Sequence, residues 1–214
     1  MARMPVRLIP VLLCAAAGIQ SAQAADAPAA GAAAAEAPVG AHWVTRKFHL
    51  TYMGFTAHYS CDGLRDNVRD ILLKLGARKE DLDLREVGCV RLDGPTPMPG
   101  VEGTFSVLVP ANELKPSDVI APPLPKVAAE TPVVDPLPAQ WRSVDLVREL
   151  HYTFDLTGNC ELLEQTKKEL LPLVSSRNLD YRATCVPHTE TIGGVTFKLD
   201  VLAPVARPKP VAKS

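Results

Sequence analysis

The chain has 214 residues, 47% of them hydrophobic, and its 23 basic and 24 acidic side chains leave a formal charge of −1. A balance so close to neutral gives no electrostatic footprint for nucleic acid. Five cysteines and twenty prolines in a chain of this size direct attention to disulfides and to extended linkers.

Residues 1–24 have the order of a signal peptide. Arg3 and Arg7 precede an apolar run from Leu8 to Gly18, and Ala22-Gln23-Ala24 supplies the small residues that signal peptidase requires. The run is shorter than the roughly 20 residues that span a bilayer, and no later segment is apolar enough to span one. Cys14 follows Leu12 and Leu13 rather than a small residue, so it reads as part of the discarded peptide and not as a lipidation site. Cleavage before Ala25 removes Arg3 and Arg7 and no acid, leaving 21 basic and 24 acidic residues. The expected location is periplasmic or secreted.

Residues 25–41 are almost all Ala, Pro and Gly and read as a flexible tether. Residues 42–110 form a first repeat, residues 111–139 a proline-rich linker, residues 140–204 a second repeat and residues 205–214 a disordered tail. The repeat emerges from alignment of the chain with itself. At an offset of 99, Cys61 falls on Cys160, Asp62 on Glu161, Leu64 on Leu163, Ile71 on Leu170 and Leu72 on Leu171. Trp43 meets Trp141 at 98, Leu82-Asp83-Leu84-Arg85 meets Leu179-Asp180-Tyr181-Arg182 at 97, Cys89 meets Cys185 at 96 and Val107 meets Val201 at 94. The offset falls by small steps, as it does when loops shorten and elements stay.

Each copy reads as strand, helix, strand, strand, an α+β unit in two tandem copies. Phe48, Leu50 and Tyr52 alternate as a half-buried strand, and Met53, Phe55, Ala57 and Tyr59 alternate in the opposite phase, with a bulge or bend expected at Gly54 between them. Ser60 and Asn159 are placed as helix N-caps, with Asp62 and Glu161 in the first turn where the helix dipole favours negative charge. Leu64, Val68, Ile71, Leu72 and Leu75 form one apolar stripe at helical period. Gly76 should end this helix, and Pro172 should shorten or kink its counterpart. Val87 to Leu92 and Thr104 to Val109 are the expected closing strands of the first copy, and Leu179 to Val186 with Val195 to Leu202 those of the second.

The mature chain keeps four cysteines, two per copy. Four cysteines permit three pairings, and the duplication favours Cys61 with Cys89 and Cys160 with Cys185. Units of this size sit close to the lower limit for an independent core, so each staple has a structural use. A redox role is disfavoured because no pair has the two-residue spacing of thioredoxin-like motifs. Metal binding is the competing use of these atoms. His58 with Cys61 and Cys185 with His188 each set an imidazole and a thiol three positions apart, a spacing that can chelate zinc or copper. The duplication argues against it, since Thr157 replaces His58 and Leu92 replaces His188 in the other copy.

No nucleophile elbow, phosphate-binding glycine loop or zinc-protease helix occurs, so no catalytic residues and no cofactor are expected. Trp43 and Trp141 remain as candidate platforms for a peptide, glycan or protein. Burial at the edge of each core is the commoner fate of tryptophan. The expected role is a non-catalytic binding module of the bacterial envelope or the cell exterior, with an envelope protein or cell-wall polymer as partner. A zinc- or copper-handling periplasmic protein, or an envelope enzyme with a site between the copies, are the competing roles.

Overall fold

The computed structural model describes residues 36–54, 58–89, 98–121, 135–150, 160–185 and 194–205. Residues 36–214 form one compact unit. In chain order the described elements are β1 (Val39–Thr51), α1 (Cys61–Lys74), β2 (Asp83–Val87), β3 (Gly100–Pro110), β4 (Val119–Ile120), β5 (Leu137–Asp145), α2 (Leu146–Leu150), α3 (Cys160–Gln165), β6 (Ser176–Arg182) and β7 (Thr196–Pro204). The strands make one antiparallel sheet in the order β2-β3-β1-β5-β7-β6, with β4 also beside β1. The fold is mixed, with a largely antiparallel sheet, few helices and two disulfides.

The two halves of the sheet meet where β1 and β5 pair. Val39 lies opposite Ala139, Gly40 opposite Pro138 and Ala41 opposite Leu137. At the offset of 98 that aligns the tryptophans, exchanging the halves carries this register onto itself, with the Gly40 and Pro138 pair at its centre. Such self-mapping is the pattern of a two-fold interface. On either side the strand order is the same, β1-β3-β2 in one half and β5-β7-β6 in the other.

The helix stripe reads as expected in the first half. Ser60 accepts a hydrogen bond from the Gly63 amide at 3.3 Å, and Cys61, Leu64, Val68, Ile71 and Leu72 are buried along α1. Gly76 ends it in the left-handed region at φ 91°. In the second half α3 stops after six residues and continues as a π turn (Thr166–Leu170) and a 3-10 turn (Leu171–Leu173) around Pro172. The proline has no amide to donate and its ring crowds the preceding turn, so the regular α pattern gives way before it.

Strand ends differ from the sequence reading. β1 ends at Thr51, and Met53 beyond it is 60% exposed. Phe55 and Ala57 lie outside the described residues, as do Tyr152, Phe154 and Leu156, which fall on Met53, Phe55 and Ala57 at the offset of 99, and the cap residue Asn159. β2 occupies Asp83–Val87, earlier than the expected strand; Gly88 turns the chain at φ 72° before Cys89, and the rest of that expected strand, residues 90–92, lies outside the described residues. β6 likewise closes at Arg182, three residues short of Cys185. Each disulfide therefore joins the start of a helix to the segment just past a strand, Cys61 to Cys89 and Cys160 to Cys185, across sequence separations of 28 and 25. The region read as a linker from residue 111 contains a 3-10 turn (Ala111–Glu113) and β4, and β5 begins at Leu137 within it. β1 starts at Val39, inside the stretch read as a tether.

One buried cluster spans both halves. Phe48, Leu50, Leu64, Val68, Ile71, Leu72, Val101 and Phe105 of the first pack with Val144, Leu146, Leu150, Leu162, Leu163, Phe197 and Leu199 of the second. The Arg142 guanidinium donates to the Lys74 carbonyl at 3.1 Å, Lys74 pairs with Glu149 at 3.2 Å, and the Gln165 amide donates to the Met53 carbonyl at 3.2 Å. The halves thus share a single core. Among the described residues no helix is long and apolar enough to cross a membrane.

Candidate functional site

Strand alternation divides the sheet into two faces. Phe48, Leu50, Val101, Phe105, Phe197, Leu199 and Val201 point to the face that the helices cover. The opposite face carries Ala41 and Trp43 of β1, Leu108 of β3, Ala139 and Trp141 of β5 and Leu202 of β7. These make a second apolar cluster, with Val39 and Leu137 at its margin and no helix residue in it. Trp43 lies opposite Leu108 and Trp141 opposite Leu202. The centre of the patch is the β1 and β5 seam.

The tryptophans are half-buried, which is neither of the two extremes considered from sequence. Each lies under a guanidinium. Arg78 stands 5.1 Å from the Trp43 ring centroid and Arg177 stands 4.5 Å from that of Trp141. The cations are held from behind. Arg78, only 8% exposed, donates from Nε to Asp81 at 2.6 Å, and its backbone amide donates to the Ser106 carbonyl at 2.9 Å. Arg177 donates through both Nη atoms to the Glu36 carboxylate, through Nη1 at 2.9 Å, and lies 3.5 Å from Asp200. The hydrogen bond from Arg177 holds the Glu36 carboxyl below the usual carboxylate range. Stacking fixes the plane of each indole, giving two rigid amphipathic surfaces on one patch.

Arg78 and Arg177 were not among the residues singled out from sequence. They sit at an offset of 99, the offset of Cys61 with Cys160 and of the helices, so the self-alignment contains the signal. No motif surrounds either arginine, so nothing local in the sequence marks them.

Cys61 and Cys185 are each in a disulfide, so neither offers a thiolate in the oxidised chain. His58 is exposed, and His188 lies outside the described residues. Among the described residues no group of three His, Cys, Asp or Glu side chains is placed to hold an ion. A groove of about 900 Å³ is lined by Ser143, Asp145, Arg148, Glu149, Thr196 and Lys198, all of the second half. No family model, curated protein or solved structure matches the chain.

Proposed function

We propose that this chain is an exported, non-catalytic binding module built from two tandem copies of one strand-helix-strand-strand unit, and that the helix-free face of its sheet is the binding surface. The observation that carries the reading is the paired indole and guanidinium stack, Trp43 with Arg78 and Trp141 with Arg177, set symmetrically about an apolar centre. Rigid aromatic groups backed by fixed cations are the residue types that dominate recognition surfaces. The duplication reading draws on the ordered series of matched residues and on the self-mapping register of β1 with β5. Export draws on the charged, apolar and small-residue segments before Ala25 and on two disulfides, which persist in oxidising compartments. Two like stacks on one surface suit a repetitive partner, such as cell-wall polymer or a symmetric envelope protein.

The test compares the parent chain with Trp43→Ala/Trp141→Ala in two arms, co-sedimentation with isolated cell-wall sacculi and retention on immobilised envelope proteins. Thermal melting confirms that the variant remains folded. The expected result is retention of the parent in one arm and its loss in the double variant. Equal behaviour of the two proteins in both arms overturns the surface. N-terminal sequencing of the exported form should begin at Ala25.

A further inference from the structure

The halves differ at one sheet edge. In β1 the edge facing away from β3 is covered by β4. Val44 pairs with Ile120, Thr45 with Val119, and the Ala121 amide donates to the Trp43 carbonyl at 2.8 Å. The corresponding positions of β5, at the offset of 98, are Arg142, Ser143 and Trp141.

The direction of the β5 backbone groups follows from one contact. Val205 donates its amide to the Pro138 carbonyl at 3.1 Å, so the even-numbered residues of β5 face β7. Antiparallel ladders alternate, and the amide and carbonyl groups of Trp141 and Ser143 therefore face the other edge. β1 pairs with β5 only as far as Ala139, and among the described residues no strand pairs with Trp141 or Ser143 on that side. Arg142 and Ser143 are exposed.

Exposed edges are normally protected by charge, shortness, proline or a bulge. The outer strand β2 has five residues and carries Asp83, Arg85 and Glu86. The outer strand β6 is bulged between Arg177 and Asp180, with Asn178 at φ 55°. The stretch Trp141 to Val144 carries one charge, Arg142, but neither a bulge nor a proline, and it runs into the groove lined by Ser143, Asp145, Val147, Val195 and Lys198.

We propose that the β5 edge at Trp141 and Ser143 is a strand-addition site for an extended, β-branched apolar peptide of a partner protein. The occupant class follows from the equivalent slot, where a Val-Ile strand of this chain makes the same backbone contacts to Trp43 and Thr45. Main-chain hydrogen bonds supply the affinity and the flanking indole and groove supply selectivity. The proposal rests on the reading of the chain as a binding module and names a partner chemistry for it.

The probe is a synthetic peptide of residues Lys115–Ala121, added to the isotope-labelled oxidised protein while amide shifts and hydrogen exchange are followed. Binding should shift and protect the Trp141 and Ser143 amides. Methylating the peptide's alanine amide, the donor that would meet the Trp141 carbonyl, should weaken binding at least about 10-fold, as should Ser143→Pro in the protein, whereas Ser143→Ala should bind as the parent does. If Ser143→Pro does not fold, the methylated peptide still decides. Absence of binding, equal binding of the two peptides, shifts gathered at Trp43 instead of Trp141, or prior protection of Ser143 by self-association each overturns the site. Failure here is separable from failure of the tryptophan face, because Trp43→Ala/Trp141→Ala leaves the edge backbone intact and is scored on sacculi and envelope proteins.

Discussion

The two halves present the same sheet to solvent while building the layer beneath it by different means. In the first, α1 is an unbroken helix of 14 residues with a serine cap and a left-handed glycine at its end. In the second, α3, a π turn and a 3-10 turn share the same task. The buried positions at either end of the stripe correspond, Leu64 with Leu163, Ile71 with Leu170 and Leu72 with Leu171. The middle does not. Val68 is buried in α1, whereas the second half buries Thr166, the counterpart of Asn67, and turns Lys167 out over the Tyr181 ring at 4.2 Å. A wider π turn moves the middle of the stripe by one residue, and the ends are recovered because the sheet beneath demands apolar groups there. Packing against a common sheet, rather than helical regularity, is what the halves share.

The largest expected effect tests whether the halves stand or fall together. Replacing Cys61 and Cys89 by serine should lower stability by ~2 to 5 kcal/mol, and replacing Cys160 and Cys185 should do the same. Since one buried cluster runs through both halves, each variant should melt in a single transition by calorimetry. Two separated transitions, one at the parent temperature, would mean that the halves have independent cores.

Truncation within the shared core sharpens the point. Leu72→Ala and Leu171→Ala remove equivalent side chains, and each should cost about 2 to 4 kcal/mol in denaturant unfolding with one unchanged slope. Leu171, 7% exposed against 0% for Leu72, should give the smaller loss. A reversed order would show that the broken helix packs more tightly than the regular one.

Gly76 of the first half lies close to the β7 backbone of the second. At φ 91° it would place an added Cβ 3.0 Å from the Leu202 carbonyl of the other half. Gly76→Ala should therefore cost about 1 to 2 kcal/mol, while Ser175→Ala at the corresponding position should stay within about 0.5 kcal/mol. Ser60→Ala, which removes the cap oxygen from the Gly63 amide, should cost about 1 kcal/mol in the same assay.

Local chemistry was legible in the residues and long-range geometry was not. The Ser60 cap, the α1 stripe and the break at Pro172 follow from short-range rules, and both disulfide pairings from the alignment of the sequence with itself. The ends of β2 and β6 were misplaced because apolar content continues past them, whereas Gly88 and the reach to the disulfide end the strands. The merging of the halves into one sheet depends on Val39 and Leu137, two residues in proline-rich surroundings that carry no strand pattern by themselves. Strand pairing across a gap of about a hundred residues leaves no periodic trace. Trp43 and Trp141 were recognisable as a matched pair, but their shared face and their arginines required the register of four strands.

The smallest effect separates the halves by pH. Leu84 in β2 corresponds to Tyr181 in β6, so one half carries an ionisable group where the other has an aliphatic one. Burial pushes the Tyr181 phenol up to about 12 from an ordinary 10.0, with a further upward contribution from the Glu164 carboxylate. Its hydroxyl has no hydrogen-bond partner among the described residues, and its ring packs edge-on to Phe197 at 5.2 Å. A pKa raised on folding means that the folded state favours the neutral phenol. The associated stability is fully present below pH 10 and is lost as pH rises toward 12. Tyr59 is pushed up as well, chiefly by burial, and adds to the same alkaline fall, since its phenol ionises more readily in the unfolded chain. The parent should therefore lose melting temperature between about pH 10 and 12, and Tyr181→Phe should flatten part of that fall. Absorbance at the tyrosinate band, recorded alongside, should show one fewer late-titrating phenol in the variant than in the parent. Identical alkaline slopes for the two proteins would place the sensitivity elsewhere, and the aliphatic and phenolic positions would then be equivalent in the fold as well as in the alignment.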